Sequence, residues 1–267
     1  MTDVPPLTSI ADRIQVAPGV MMPRLGLGTW KAHFGALERT ISSALALGYR
    51  LVDTSPVYFN EKEVGRAIAR SGVSRDEMFV TTKLDVPALG FGSAREALES
   101  SLLRLGLDYV DLYLIHWPRR KLISRTWSSM EELQRAGIAR AIGVSNFEVE
   151  DLETLFETAE ISPAVNQVEL NPLVQQRAIQ TYCRDRGITL EAWAPVIQGS
   201  AARLSSLVRI GERWTKTPSQ VSLRWILQKD IVAIPKTVHE ARVRENADVY
   251  DFELTDEEMA EIDAISR

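Results

Sequence analysis

RLVDTSPVYFNEKEVGRAIAR, residues 50–70, is the stretch that shows how this chain is built. Residues 50–53 form a short segment with the apolar pair Leu51-Val52 at its centre, as expected of a strand buried on both faces. A polar loop follows, and residues 61–70 then carry apolar side chains at helical spacing. The stretch therefore predicts one strand, one loop and one helix.

The same unit repeats from residue 24 onward. The predicted strands span residues 24–27, 50–53, 78–83, 111–116, 140–145, 164–169, 189–194 and 231–235. The amphipathic segments between them span residues 36–47, 61–70, 93–105, 125–136, 149–159, 176–186 and 218–229. Short apolar strands that alternate with longer helices are typical of a parallel sheet with crossover helices.

This alternation predicts an α/β fold, a (β/α)8 TIM barrel that forms a single domain over residues 1–267. We expect a hairpin over residues 13–20, with Pro18-Gly19 in its middle, before the barrel, and a helix over residues 256–265 after it. A two-domain doubly wound sheet is the alternative. It is disfavoured because Gly26-Leu27-Gly28 is not followed by the third glycine of GxGxxG.

Composition and charge argue against several classes of partner. The net charge is −5 and the 31 basic residues are scattered, so nucleic acid is not an expected partner. One cysteine, Cys183, and three dispersed histidines, His33, His116 and His239, predict no disulfide and no metal site. No apolar run approaches membrane-spanning length, and no signal sequence is evident. We expect a cytoplasmic monomer that does not bind membranes.

Titratable residues stand at the ends of three consecutive predicted strands. Asp53 follows LV, Lys83 ends FVTTK, His116 ends LYLIH, and Tyr58 comes five residues after Asp53. Barrel enzymes have their active sites at the carboxyl ends of the strands, so we expect these side chains to converge. Singly, each has an ordinary structural interpretation: a loop cap, a solvated charge, a half-buried aromatic or a hydrogen-bonded histidine. Their common position favours a catalytic site.

Together these side chains form a proton-donating set. A tyrosine with a pKa near ~10 is a poor acid at neutral pH, but an adjacent ammonium lowers that pKa by roughly 1–3. We predict that Lys83 has this effect on Tyr58, and that Asp53 keeps Lys83 charged and in place. A neutral His116 would then orient a carbonyl oxygen against the tyrosine hydroxyl.

Several long motifs, in a fixed order, resemble one known family. They are GLGTW (26–30), DTSPVYFNE (53–61), TTKL (81–84), LIHWP (114–118), GVSNF (143–147), VNQVELNP (165–172) and IPKTV (234–238). Over residues 13–265 the chain resembles the aldo-keto reductases, and among them the bacterial 2,5-diketo-D-gluconate reductases. The resemblance implies an oxidoreductase that uses NADPH to reduce aldehydes or ketones (small carbonyls, dicarbonyls or keto sugars) by hydride transfer. It matches Asp53, Tyr58, Lys83 and His116 to the family's catalytic set, with Tyr58 as general acid.

The resemblance also implies a site for the cofactor. Its residues would be Ser145, Asn146, Gln167, Trp193, Pro195, Val196, Gln198, Lys236, Thr237, Val238, His239, Arg242, Glu245 and Asn246. Cations at the start of a short predicted helix suit the 2′-phosphate of NADPH. His239 stands where arginine is common among relatives, so NADH is a weaker second cofactor. Ordinary turn chemistry, core packing and solvated surface charge are the alternative interpretations of these residues.

The predicted substrate contacts surround an open site for small carbonyls. They are Trp30, Asp85, His116, Trp117 and Phe147. Asp85 stands where similar reductases usually carry tryptophan. It brings a negative charge that would disfavour anionic sugar acids.

Two other functions are compatible with the sequence. One is a cofactor-binding sensor or interaction module with little turnover, which would bind NADPH without consuming it. The other is a Schiff-base lyase on the same barrel, which would use Lys83 or Lys236 and form an adduct that borohydride traps without nucleotide.

Overall fold

The computed structural model describes residues 7–32, 35–85 and 93–265; residues 1–6, 33–34, 86–92 and 266–267 lie outside that description. The first element is an antiparallel hairpin of β1 (Arg13–Ala17) and β2 (Val20–Pro23). Gly19 at its turn has a φ of 72°, a left-handed conformation that glycine adopts without strain. The predicted hairpin is confirmed, and its second strand continues to Pro23.

Within the described ranges, eight parallel strands follow one another around a single sheet. They are β3 (Gly26–Gly28), β4 (Leu51–Asp53), β5 (Phe79–Leu84), β6 (Val110–Ile115), β7 (Ala139–Ser145), β8 (Val165–Glu169), β9 (Thr189–Trp193) and β10 (Val232–Ala233). Bridges from Leu25 to Ala233 and from Gly28 to Lys236 join the two edges of this sheet. The strands therefore form the predicted (β/α)8 barrel.

Helices connect the strands and cover the barrel. They are α1 (Ala36–Ala46), α2 (Glu61–Arg70), α3 (Ser93–Leu105), α4 (Ile123–Arg135), α5 (Val149–Phe156), α6 (Arg177–Arg186), α7 (Ser205–Trp214), α8 (Pro218–Gln228), α9 (Glu240–Ala247) and α10 (Asp256–Asp263). Local sequence explains several of their starts. At α8, Thr217 and Gln220 form a capping box and Pro218 occupies the first helical position. The final helix, α10, begins with the same box and confirms the predicted C-terminal helix.

The apolar residues form two cores, one between the helices and the strands and one inside the barrel. In the inner core, Leu51 and Phe79, the first residues of β4 and β5, pack with Val16 and Met22 of the hairpin. The hairpin therefore closes the end of the barrel at which the strands begin. The opposite end, where the strands finish, is left to the loops that carry the site.

The structure differs from the prediction in two places. The last strand, β10, contains only two residues of the predicted 231–235. Helix α7 lies in a segment for which no helix was predicted. The remaining strands and helices lie where the alternation predicted them.

Candidate active site

Asp53 and Lys83 form a buried ion pair at the ends of neighbouring strands. Asp53 is the last residue of β4 and Lys83 lies near the end of β5. The Nζ of Lys83 lies 2.7 Å from each carboxylate oxygen of Asp53 and donates to the carbonyl of Thr54 at 3.1 Å. Burial opposes the charge of Lys83, but the Asp53 carboxylate and Tyr58 outweigh it, so the pKa of Lys83 is raised. At neutral pH Lys83 is therefore an ammonium.

Tyr58 approaches this ion pair from the loop after β4. A single turn, Pro56–Tyr58, brings its hydroxyl to 3.4 Å from the Nζ of Lys83. Lys83 lowers the pKa of Tyr58 as predicted, but the expectation that the pKa falls overall is wrong. Burial raises the pKa of Tyr58, and the ammonium of Lys83 offsets only part of that effect. Tyr58 therefore keeps its proton at neutral pH, and its hydroxyl can donate a hydrogen bond.

His116 follows β6 and stands beside Tyr58. The two rings meet edge to face with centroids 5.9 Å apart, and Trp117 stacks on the imidazole at 6.3 Å. The carbonyl of His116 accepts a hydrogen bond from the side chain of Asn146 at 3.0 Å. The Nδ1 of the His116 ring lies 2.5 Å from a carboxylate oxygen of Asp85. The structure thus brings the four predicted catalytic residues into one cluster.

The ends of the following strands carry a chain of polar side chains. The Oγ of Ser145 donates to the carbonyl of Gln167 at 2.9 Å. The amide of Asn146 donates to that same Oγ at 3.0 Å, and it accepts from the indole of Trp193 at 3.0 Å. Asn146 has a φ of 60°, a left-handed conformation that asparagine adopts more readily than most residues. These bonds fix the orientation of the side chains predicted to hold the nicotinamide end of the cofactor.

Gln167 connects these polar side chains to the ion pair of Asp53 and Lys83. Its amide nitrogen donates to Asp53 at 2.8 Å and to Glu191 at 2.7 Å. Because both N–H groups face carboxyl oxygens, the amide oxygen of Gln167 points away from them. Burial, with the Asp53 carboxylate as a second cause, raises the pKa of Glu191 to about 8. Sequence reasoning missed Glu191, although an acid inside an apolar strand signals a buried polar contact.

A cavity of about 830 Å³ opens at this end of the barrel. Every predicted cofactor residue lines it: Ser145, Asn146, Gln167, Trp193, Pro195, Val196, Gln198, Lys236, Thr237, Val238, His239, Arg242, Glu245 and Asn246. The catalytic and substrate residues that also line it are Asp53, Tyr58, His116, Trp30 and Trp117. One continuous wall therefore contains both predicted sites.

Three predicted site residues lie behind this wall. Lys83 is buried beneath Tyr58, and Phe147 packs in the core with 1% of its surface exposed. Asp85 contacts the ring of His116 and lies outside the lining. Asp85 and Phe147 therefore do not line the cavity themselves, although His116 and Asn146 beside them do.

The cavity wall also includes polar residues that sequence reasoning missed. Lys31 places its Nζ 4.2 Å from the centre of the Trp30 ring. Burial, and then the nearby Lys31, lower the pKa of Lys236. Thr217 and Ser219 bring the start of α8 to the wall, where the positive end of the helix suits a phosphate. One signal was available in the sequence, because Lys31 adjoins the predicted substrate residue Trp30.

Two negative findings apply only to residues 7–32, 35–85 and 93–265. There, the acidic, histidine and cysteine side chains form no cluster of three or more that would hold a metal ion. None of the helices in those ranges has the length and apolar character needed to cross a membrane.

Comparisons with known proteins show what this chain is similar to. Residues 24–267 match the Aldo/keto reductase family. Glyoxal reductase of Bacillus subtilis (strain 168) is 46% identical over 261 residues, which cover 97% of this chain and 95% of that protein. An aldo-keto reductase crystallised with NADPH superposes with a TM-score of 0.87 and 34% identity, over 94% of this chain and 86% of that one. A structure assigned as 2,5-diketo-D-gluconic acid reductase B superposes with a TM-score of 0.90 and 37% identity. The match covers 93% of this chain and 89% of that one. These matches confirm the resemblance that the motifs predicted.

Proposed function

Because this chain belongs to the aldo-keto reductase family, we propose that it uses NADPH to reduce small aldehydes and ketones, 1,2-dicarbonyls above all. One observation carries the proposal. The ammonium of Lys83 lies between the Asp53 carboxylate, at 2.7 Å, and the Tyr58 hydroxyl, at 3.4 Å. A tyrosine that keeps its proton, backed by a fixed ammonium at the wall of a ligand-sized cavity, is suited to protonate a carbonyl oxygen.

The residues around the cavity fit NADPH at both ends. Lys236 and Arg242 supply positive charge at one end, where a 2′-phosphate would bind. At the other end the indole of Trp193 offers an aromatic face, and the amide oxygen of Gln167 is left to accept from a carboxamide. When bound, NADPH supplies the hydride that reduces the carbonyl carbon.

The side chains of the cluster handle the proton. Tyr58 gives its hydroxyl proton to the carbonyl oxygen as negative charge develops there. Lys83 then stabilises the phenolate that remains, since its ammonium lies 3.4 Å from that oxygen. Asp53 holds Lys83 charged and in position. A proton from solvent restores Tyr58, and in alcohol oxidation the phenolate accepts the proton instead.

Small dicarbonyls are the substrates that the entrance suits best. Trp30 and Trp117 stand at the cavity with 46% and 49% of their surface exposed, and Val57 beside them is 45% exposed. This open, apolar entrance offers few fixed contacts to a large polar substrate. The B. subtilis relative is named for glyoxal, a 1,2-dicarbonyl. We therefore rank glyoxal and methylglyoxal ahead of sugars and sugar acids.

The direct test compares the wild type with Tyr58→Phe in an NADPH-consumption assay over dicarbonyls, keto acids, sugars and aromatic aldehydes. We expect Tyr58→Phe to lose about 10²–10⁴ in rate because the proton donor is gone. Binding of NADPH, followed by fluorescence, stays unchanged. The matched control is Tyr182→Phe on α6, outside the cavity wall, which should keep full activity. Wild-type turnover in Tyr58→Phe would remove Tyr58 from its proposed role.

The proposed preference for NADPH has a separate test. Lys236→Met removes one cation from the adenosine end of the cavity. We expect the ratio of kcat/KM with NADPH to that with NADH to fall about 10-fold, because a charge-assisted hydrogen bond to the 2′-phosphate is lost. Lys229→Met, which breaks an ion pair with Asp263 outside the cavity, is the control. An unchanged ratio in Lys236→Met would contradict the proposed phosphate contact.

A further inference from the structure

Asp85 is a charged residue beside the site that neither lines the cavity nor belongs to the ion pair of Asp53 and Lys83. It comes directly after β5, with 13% of its side chain exposed, and lies outside the cavity lining. One carboxylate oxygen lies 2.5 Å from the Nδ1 of His116, and the other accepts from the Oγ of Ser55 at 3.2 Å. Both oxygens are therefore engaged with groups that adjoin the reaction centre.

The contact determines which nitrogen of His116 carries a proton. An aspartate carboxylate only accepts hydrogen bonds, so Nδ1 must be the donor. The Oγ of Ser55 lies farther from Nδ1, at 3.4 Å, so Asp85 is the principal partner of the ring. Because His116 lines the cavity and Nδ1 faces Asp85, Nε2 is the ring nitrogen left for a ligand.

We propose that Asp85 is a positioning residue for the carbonyl reduction: it keeps a proton on Nδ1 of His116 and directs Nε2 at the substrate oxygen. This inference rests on the proposed function. It replaces a direct contact between Asp85 and substrate with an action through His116. A carboxylate that orients a histidine in this way fixes both its tautomer and its ring orientation.

The arrangement also changes what His116 offers the substrate. With Nδ1 protonated, Nε2 donates a hydrogen bond only when the ring carries both protons. Such a ring is positively charged, in contrast to the neutral His116 predicted from the sequence, and Asp85 balances that charge at 2.5 Å. A charge-assisted hydrogen bond to the developing alkoxide is stronger than one from a neutral imidazole. Asp85 thus enables His116 to assist Tyr58 in stabilising the reduced oxygen.

The test reads the tautomer directly, by nitrogen NMR of the imidazoles. The chain has only three histidines, so His116→Gln assigns the signal of His116. We expect Nδ1 of His116 to carry a proton in the folded wild type. In Asp85→Ala the neutral ring should move its proton to Nε2. Asp85→Asn, whose amide oxygen still accepts from Nδ1, should retain the wild-type signature.

Kinetics provide the second reading. We expect Asp85→Ala to lower kcat about 10-fold, as loss of an orienting partner does, while the affinity for NADPH stays unchanged. Asp85→Asn should recover part of kcat. Asp263→Asn, which removes a carboxylate paired with Lys229 outside the cavity, is the control and should leave kcat unchanged.

Two results would overturn the proposal. One is a neutral His116 in the wild type with its proton on Nε2, a measurement that needs no Asp85 variant to fold. The other is wild-type kcat in a folded Asp85→Ala. Failure of the proposed function looks different. A wild type that reduces no carbonyl would remove the proposed function, and the kinetic role of Asp85 with it.

Discussion

At the scale of single residues, Asp53 links the cluster around Tyr58 with the polar side chains around Gln167. Its carboxylate accepts from Lys83, which lies beside the proposed proton donor, and from Gln167, which lies on the proposed cofactor side of the cavity. The buried carboxylate of Asp53 therefore contacts Gln167 directly and Tyr58 through Lys83. A change at Asp53 is expected to affect both the proton donor and the cofactor side.

The sequence allowed some of these residues to be predicted and not others. Asp53, Lys83 and His116 each end an apolar run, and position at a strand end can be recognised without a structure. The direction of the Tyr58 pKa could not be predicted, because it depends on how much of the ring other elements bury. The contact between Asp85 and His116 was missed because it joins two loops whose distance the sequence does not give.

Glu191 yields a prediction about stability and pH. Its pKa is about 8 in the folded protein, against 4.5 for an ordinary glutamate, so the unfolded chain releases a proton that the folded chain retains. The stability contributed by this group is fully present below about pH 4.5 and is lost as the pH rises to about 8. Glu191→Gln, which never ionises, should therefore gain stability relative to the wild type as the pH rises.

Urea unfolding at several pH values across that window checks this prediction. The free energy of unfolding of Glu191→Gln minus that of the wild type should become more positive with pH. Glu157→Gln, at an exposed position just after α5, is the control and should show a constant difference. A flat or falling difference for Glu191→Gln would show that Glu191 is ionised in the folded protein.

Among the elements, strands were easier to predict than helices without end signals. Each strand lies where a short apolar run occurs, because strands buried on both faces tolerate few polar residues. Helix α7 has neither start nor stop signal: Leu204 precedes it without a side-chain cap, and Thr215 rather than glycine takes the left-handed position after it. Its apolar side chains do recur at helical spacing, at Leu207 and Ile210, but a short helix without end signals is easily missed in the sequence.

The contact between α2 and α3 gives a prediction at this scale. Gly65 in α2 faces the carbonyl of Leu105, the last residue of α3, and a Cβ on Gly65 would lie 2.1 Å from that oxygen. Helix propensity alone would favour alanine by about 1 kcal/mol. The clash is with backbone and forces the helices apart, which costs roughly 1–3 kcal/mol. We therefore expect Gly65→Ala to destabilise the protein.

Denaturant unfolding measures this effect. Lys62→Ala, at an exposed position of the same helix, is the control and should change stability little. If Gly65→Ala were as stable as the wild type or more so, helix propensity would outweigh the contact, and the packing of α2 on α3 would have to be looser than the structure shows.

At the scale of the whole molecule, the packed apolar residues and the candidate site lie at opposite ends of the barrel. The hairpin and the inner apolar core close the end where the strands begin, while the polar side chains and the cavity lie where the strands finish. The alternation of strands and helices predicted this division. It could not show that the start of α8 would join the cavity wall, because that segment is distant in sequence from the strand ends that carry the site.

Transfer of deuterium from NADPH labelled at both C4 positions to methylglyoxal tests the central claim most directly. If the cavity binds the cofactor beside Tyr58 as proposed, mass spectrometry should find one deuterium on the new carbinol carbon for each NADPH oxidised, and almost none with Tyr58→Phe. Reduction without deuterium in the product, or NADPH oxidation independent of Tyr58, would contradict carbonyl reduction at this site.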